Sequence, residues 1–271
     1  STSKTWNGGD PVGIGGWGAI YKIDTNDASI SVWATLPMPN SESGLGSITY
    51  DCEHSQFFAT SFEDGLIYRL DMSGNILDSF DHGAPYTGNA GPVAFGNRPW
   101  AVEVNGDRLY YSMWNGNMND SAALPNEIWS VALTGPGMPI PGTELLEITL
   151  PSYSIYSWSS PIADIDFSPT NGTMVLGERA QSSITGLSAH QARVFEYECT
   201  AIGWTQTSHV FGIGSNGTDA AGGVDATEEY VWASGDSLQF GPDYIYGFQG
   251  MPVTGGNPSD SVLVDYQGDV S

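Results

Sequence analysis

The chain has 271 residues, 40% of them hydrophobic and 12% aromatic. That is enough apolar material for a packed core and argues against disorder. Only 7 Lys and Arg stand against 31 Asp and Glu, giving a net charge of −24; so few cations speak against nucleic acid and anionic membranes as partners, while divalent cations remain compatible.

Charged residues make up 14% of the chain, against a usual share of about 25%. The acidity is therefore a shortage of bases rather than a surplus of acids. No apolar run approaches the roughly 20 residues of a membrane span. No signal-peptide pattern opens the chain, so it reads as a processed product or a fragment.

The first elements in chain order are strands at 18–24 and 30–36. They contain the phrase Gly18-Ala19-Ile20-Tyr21-Lys22-Ile23-Asp24, which returns as Gly65-Leu66-Ile67-Tyr68-Arg69-Leu70-Asp71. Looser copies are centred on Ile128, Val194 and Ile245. A supersecondary unit recurring at this interval marks a propeller or an array. The Gly-rich stretch 13–18 precedes a strand rather than a helix, so it is not a nucleotide-binding loop.

The first complete unit has strands at 45–50, 56–61, 66–71 and 75–80, separated by Asp-, Ser- and Gly-containing turns. The second has strands at 100–104, 108–113, 127–132 and 145–150. The third has 162–167, 173–178, 192–198 and 207–213. The fourth has 223–226, 229–233, 244–248 and 261–266. Four short strands per unit and no convincing amphipathic helix predict an all-β fold, a β-propeller of four-stranded antiparallel blades. About five blades are expected, with six or seven as alternatives. The expected domain is a single propeller over 1–271: a half blade at 1–40, then blades at about 41–85, 95–151, 158–215 and 219–271. The first blade is incomplete, so a longer polypeptide is expected to supply its inner strands.

Candidate chemistry falls on the inner strands. Asp164, Asp166 and Asp225 lie on them and Glu178 ends a second strand, a position that lines a propeller channel. Carboxylates suit a hard cation, so this set is the candidate Ca²⁺ site; the alternative is that the same acids cap turns or bond backbone groups between blades. Arg179 is expected to pair with Glu178 or Asp166, since an unpaired buried charge is costly. Trp114, Tyr156 and Trp158, in or near long loops with Tyr153, are candidate ligand-binding aromatics; the alternative is that they fill gaps between blades. The four His residues lack metal-ligand spacing, and no Gly-x-Ser-x-Gly elbow is present. No catalytic constellation is assigned. Cys52 and Cys199 are no disulfide framework and read as small buried apolar residues, with a bond between the two as the alternative.

The runs 162–167, 172–179 and 188–199, with Ala221-Gly222-Gly223-Val224-Asp225 and Tyr230-Val231-Trp232-Ala233, resemble the propeller region of very large secreted or cell-surface proteins of Bacteroidota. In such proteins prealbumin-like or immunoglobulin-like repeats often follow. The resemblance implies an extracellular, surface-attached product whose partners are other domains or copies of the same protein, and glycans. Three Asp-Ser-apolar triplets, at 120–122, 236–238 and 260–262, match the O-glycosylation acceptor of such bacteria. Asn119, Asn171 and Asn216 begin N-glycosylation sequons. The expected function is a structural or adhesive module of a surface or filament-forming protein. The alternative is a Ca²⁺-dependent propeller enzyme acting on glycans or lactones at the channel mouth.

Overall fold

The computed structural model describes residues 15–38, 44–61, 63–83, 93–116, 125–151, 159–182, 186–239, 245–256 and 258–265. The strands are β1 (Ala19–Ile23), β2 (Ile30–Thr35), β3 (Leu45–Asp51), β4 (Gln56–Ser61), β5 (Leu66–Asp71) and β6 (Ile76–Asp81). They continue as β7 (Pro99–Asn105), β8 (Arg108–Met113), β9 (Glu127–Ala132), β10 (Leu145–Thr149), β11 (Ile162–Phe167) and β12 (Met174–Glu178). The last are β13 (Val194–Thr200), β14 (Gly203–Gln206), β15 (Ala220–Ala226), β16 (Tyr230–Gln239), β17 (Ile245–Pro252) and β18 (Val262–Asp265).

Among the described residues these strands form four four-stranded sheets, each ordered along the sheet as in the chain, and the two-stranded sheet β1–β2. Such consecutive antiparallel meanders are the blades of a β-propeller, the fold class expected from the repeat. The chain packs as two compact units, 1–115 with 129–146 and 116–128 with 147–271. In the first unit, Phe58, Ile67, Phe80, Leu109 and Tyr111 form a buried cluster across β4, β5, β6 and β8. In the second, Val175, Val194, Phe211, Ala233 and Met251 do the same. Burying each large side chain contributes about 1.5–3 kcal/mol.

One detail recurs in the first strand of each blade. The pairing of first with second strand shifts register near its start, between Leu45 and Ile48, Pro99 and Val102, Ile162 and Asp164, and Ala220 and Val224. Such a bulge leaves an amide without a ladder partner. A hydroxyl on the second strand takes it up: Ser47 N donates to Thr60 Oγ1, Ala101 N to Ser112 Oγ and Gly223 N to Ser234 Oγ, each at 2.9 Å. Thr60 Oγ1 donates in turn to the Trp100 carbonyl on the next blade. In the third blade Gly177 stands at the equivalent place, with no hydroxyl. The carbonyl of Gly222, on the neighbouring β15, fills the space a side chain would need.

The fourth strand of the third blade differs from expectation: it is β14 (Gly203–Gln206), not 207–213. Thr200 pairs with Gly203 across a two-residue turn, and Gly203 adopts a φ of 107°. Residues 207–213 instead return to the blade: Thr207 N donates to the Glu196 carbonyl at 3.0 Å. Phe211 bridges to Val194 and Gly256, and Phe211 and Ile213 enter the core. The cysteines also differ from expectation. Cys52 and Cys199 are free and exposed rather than buried.

Candidate functional site

β11 and β15 lie side by side in the second unit, and the inner-strand acids act between them. Asp164 and Asp166, two residues apart, share one face of β11. Asp164 Oδ2 accepts from Val224 N at 3.1 Å and Asp166 Oδ2 from Ala226 N at 2.5 Å. Asp164 Oδ1 accepts from Ile165 N at 3.1 Å. The two carboxylates therefore brace alternate amides of the neighbouring strand. Burial raises the pKa of Asp166; the Ala226 amide pulls it back, and the Asp225 charge adds to the rise. Asp225 itself is exposed.

Glu178 is buried at the end of β12 and receives Arg193 in full. Arg193 Nε and its backbone N donate to Oε2, and Nη2 to Oε1, each at 2.9 Å. Burial pushes the Glu178 pKa up, and the three Arg193 donors oppose it. Arg179 turns the other way and pairs with Asp236 at 2.5 Å. The expected pairing of Arg179 with Glu178 or Asp166 is thereby corrected. Successive side chains on a strand point to opposite faces, and this alternation is the signal that separates Arg179 from Glu178.

Asp164, Asp166, Glu178 and Asp225 do not fit a Ca²⁺ cage. Asp164 and Asp166 already accept backbone amides, Glu178 is neutralised by a guanidinium, and Asp225 faces solvent. Among the described residues no three His, Cys, Asp or Glu side chains converge as a metal cluster. Three histidines meet single buried carboxylates through Nδ1: His54 with Asp51 at 2.7 Å, His190 with Asp219 at 2.8 Å, and His209 with Glu196 at 2.7 Å. His82 bonds the Tyr111 hydroxyl at 2.6 Å. These contacts tie turns to strands.

Trp114 does not stand exposed on a loop. It is 2% accessible and packs against Phe95 and Trp100, with ring centroids at 5.3 and 5.4 Å. This corrects its reading as an exposed ligand-binding aromatic; it fills a gap. Tyr153, Tyr156 and Trp158 lie outside the described residues.

The Trp114 cluster holds a group that strand patterning does not flag. Arg98, just before β7, is buried. Its guanidinium lies 4.1 Å from the Phe95 ring centroid and 5.0 Å from that of Trp114. Its Nε donates to the Val93 carbonyl at 2.5 Å. Burial pushes its pKa down to about 10, so it stays charged at neutral pH. On the facing turn, Asp64 accepts from the Tyr68 hydroxyl at 2.5 Å and from Leu66 N at 3.1 Å.

No protein-family model matches this chain, and no curated protein does. Solved structures do. A functionally unknown protein of Desulfotomaculum acetoxidans is 13% identical over 92% of this chain and 62% of its own, with a TM-score of 0.47. A putative 6-phosphogluconolactonase of Bacteroides fragilis is also 13% identical, over 92% and 63%, with a TM-score of 0.49. A catalytically inactive virginiamycin B lyase from Staphylococcus aureus is 11% identical, over 93% and 64%, with a TM-score of 0.45. The chain spans less than two thirds of each of these proteins. Likeness at this level assigns no activity.

Proposed function

We propose that this chain is an extracellular structural or adhesive propeller module of a large surface or filament-forming protein, of the kind it resembles in Bacteroidota. The observation that supports this best is the use made of the inner-strand acids. Asp164 and Asp166 brace β15, and Glu178 locks Arg193. Carboxylates held in this way stiffen a scaffold and are not free to exchange protons with a substrate. A stiff blade stack with long loops after its second strands suits contacts with protein or glycan.

The test pairs a glycan array and a self-association assay with turnover assays on lactones and oligosaccharides, with and without Ca²⁺. Binding or self-association without turnover, insensitive to chelator, is the expected result. Ca²⁺-dependent turnover that is lost in Asp166→Asn would overturn the proposal in favour of the enzyme.

A further inference from the structure

β5 shows how neighbouring blades meet. Tyr68 and Leu70, on one of its faces, pack with Ile20 and Ala34 of the β1–β2 sheet. Ile67 points to the opposite face and packs with Val102, Leu109 and Tyr111 of the blade that follows. The last blade obeys the same rule on one side: Val231, Ala233 and Met251 pack with Val175 and Val194 of the blade before it. A blade therefore has a backward face and a forward face. Within each unit an apolar forward face is covered by the backward face of the next blade.

Two faces stand outside this rule. In the β1–β2 sheet, Tyr21 opposes Val32 and Ile23 opposes Ile30, so these four share the backward face, away from Ile20. The repeated phrase aligns Tyr21 and Ile23 with Tyr68 and Leu70. Tyr68 and Leu70 are 5% and 0% exposed, whereas Tyr21 and Ile23 are 37% and 61% exposed. Tyr21 keeps one hydrogen bond, its hydroxyl accepting from Gly15 N at 3.3 Å. In the last blade, Phe248 opposes Val264 and Gly250 opposes Val262. These lie on the forward face, away from Met251 and Leu263, and Phe248, Val262 and Val264 are exposed. Both faces are apolar, and both are carried by the third and fourth strands of a blade, so they match strand for strand. Clustered exposed apolar side chains of this kind mark a contact surface.

We propose that a second copy of this chain covers these faces: the β17–β18 face of one copy packs on the β1–β2 face of the next, head to tail. The contact repeats between copies the forward-on-backward packing that the chain already uses between its own blades. It is heterologous, so each copy keeps one face free for a further copy, and the contact propagates into a filament or closes into a ring of copies. The net charge of −24 opposes the approach of two copies, and salt screens that repulsion while leaving the apolar contact intact. The proposal rests on the reading of the chain as a structural module and names the partner and the surface of its self-association.

The experiment is analytical ultracentrifugation of the whole chain over a concentration series at low and high sodium chloride. Association that grows with concentration and strengthens with salt is expected. Ile23→Lys and Val264→Lys each place a charge on one face and lower the net negative charge, so added repulsion cannot explain a loss. Each is expected to raise the dissociation constant about tenfold or more. Mixing the two variants restores a 1:1 dimer and nothing larger, because one intact face of each kind remains. Both positions are exposed, so folding tolerates the change; Ile30→Lys or Phe248→Lys replaces a variant that fails to fold. A wild-type chain that stays monomeric in every condition, association that weakens with salt, association kept in both variants, loss in only one of them, or a mixture that does not pair would each overturn the interface. Glycan binding by a chain that stays monomeric removes this interface and leaves the adhesive reading; turnover of lactones or oligosaccharides by a chain that assembles head to tail does the reverse.

Discussion

Arg193 places three donors on Glu178, two from its guanidinium and one from its own backbone, all at 2.9 Å. The residues face each other across β12 and the start of β13, so the pair fastens the second strand of the blade to the third. Glu178 is almost wholly buried while Arg193 keeps 23% of its side chain exposed. Removing the acid strands a cation at the edge of the core, and removing the base strands a buried anion. We expect Glu178→Ala to destabilise by about 3–5 kcal/mol, with Glu178→Gln milder because its amide oxygen still accepts. In a double-mutant cycle with Arg193→Met the double variant recovers part of the loss. Chemical denaturation reads all four variants, and a loss below about 1 kcal/mol for Glu178→Ala would show that the pair contributes little.

A second prediction concerns pH. Burial raises the pKa of Asp64 and of Asp166. Where a carboxyl holds its proton longer in the folded state than in the unfolded one, the folded state binds more protons over the interval between the two pKa values. Stability then falls as pH rises through that interval, starting from the ordinary carboxylate range. Asp24, Asp27 and Asp71 shift downward through turn hydrogen bonds. Their stabilisation is present above the ordinary range and lost on acidification, and their full exposure keeps it small. Asp166→Asn retains an acceptor for Ala226 N and removes a charge close to Asp225. It is expected to flatten the decline that begins at the ordinary carboxylate range and continues above it, as measured by denaturant unfolding at a series of pH values. An unchanged slope would place the titration elsewhere.

The two cysteines give a direct solution test. Both are free and exposed, so a thiol reagent added to the native protein should titrate two thiols per chain without denaturant. Non-reducing peptide mapping should find no bond between Cys52 and Cys199. Fewer than two reactive thiols before unfolding would contradict the exposed placement.

Where the sequence was legible, a turn residue or a strict alternation marked the boundary. β4, β5, β8, β9 and β11 fall at their expected limits because Gly65, Gly106 and similar residues punctuate them. β14 was hidden because its hairpin tip carries Ile202, 93% exposed, where a polar turn residue would announce the bend. The inner-strand acids were legible as a group, since an Asp-x-Asp pattern on a strand sets two carboxylates on one face. Their partners were not, because Val224 N and Ala226 N are backbone groups on another blade and carry no side-chain signature. Arg98 carries no sequence signal for a related reason: its environment is built by Phe95, Trp100 and Trp114, which come together only in the folded chain.

The third blade's missing hydroxyl leads to the last prediction. A β-carbon at Gly177 would stand 2.5 Å from the Gly222 carbonyl and 2.8 Å from Val224 Cγ1. The first obstacle is backbone on a neighbouring strand, so it cannot turn aside as a side chain would. Gly177 does not have a positive φ, so alanine there suffers no backbone strain and the whole effect is steric. Gly177→Ala should therefore destabilise by about 1–3 kcal/mol, as overpacking of a close contact does. Gly177→Ser should do no better, despite the hydroxyls that serve at Thr60, Ser112 and Ser234. Gly106 is the control: it has a φ of 59° with open space around its β-position. Gly106→Asn should be nearly neutral, because asparagine tolerates the left-handed region, whereas Gly106→Ala should lose about 1 kcal/mol. If Gly177→Ala instead proves as stable as the wild-type chain, the approach of β15 to β12 is looser than a backbone-to-backbone contact.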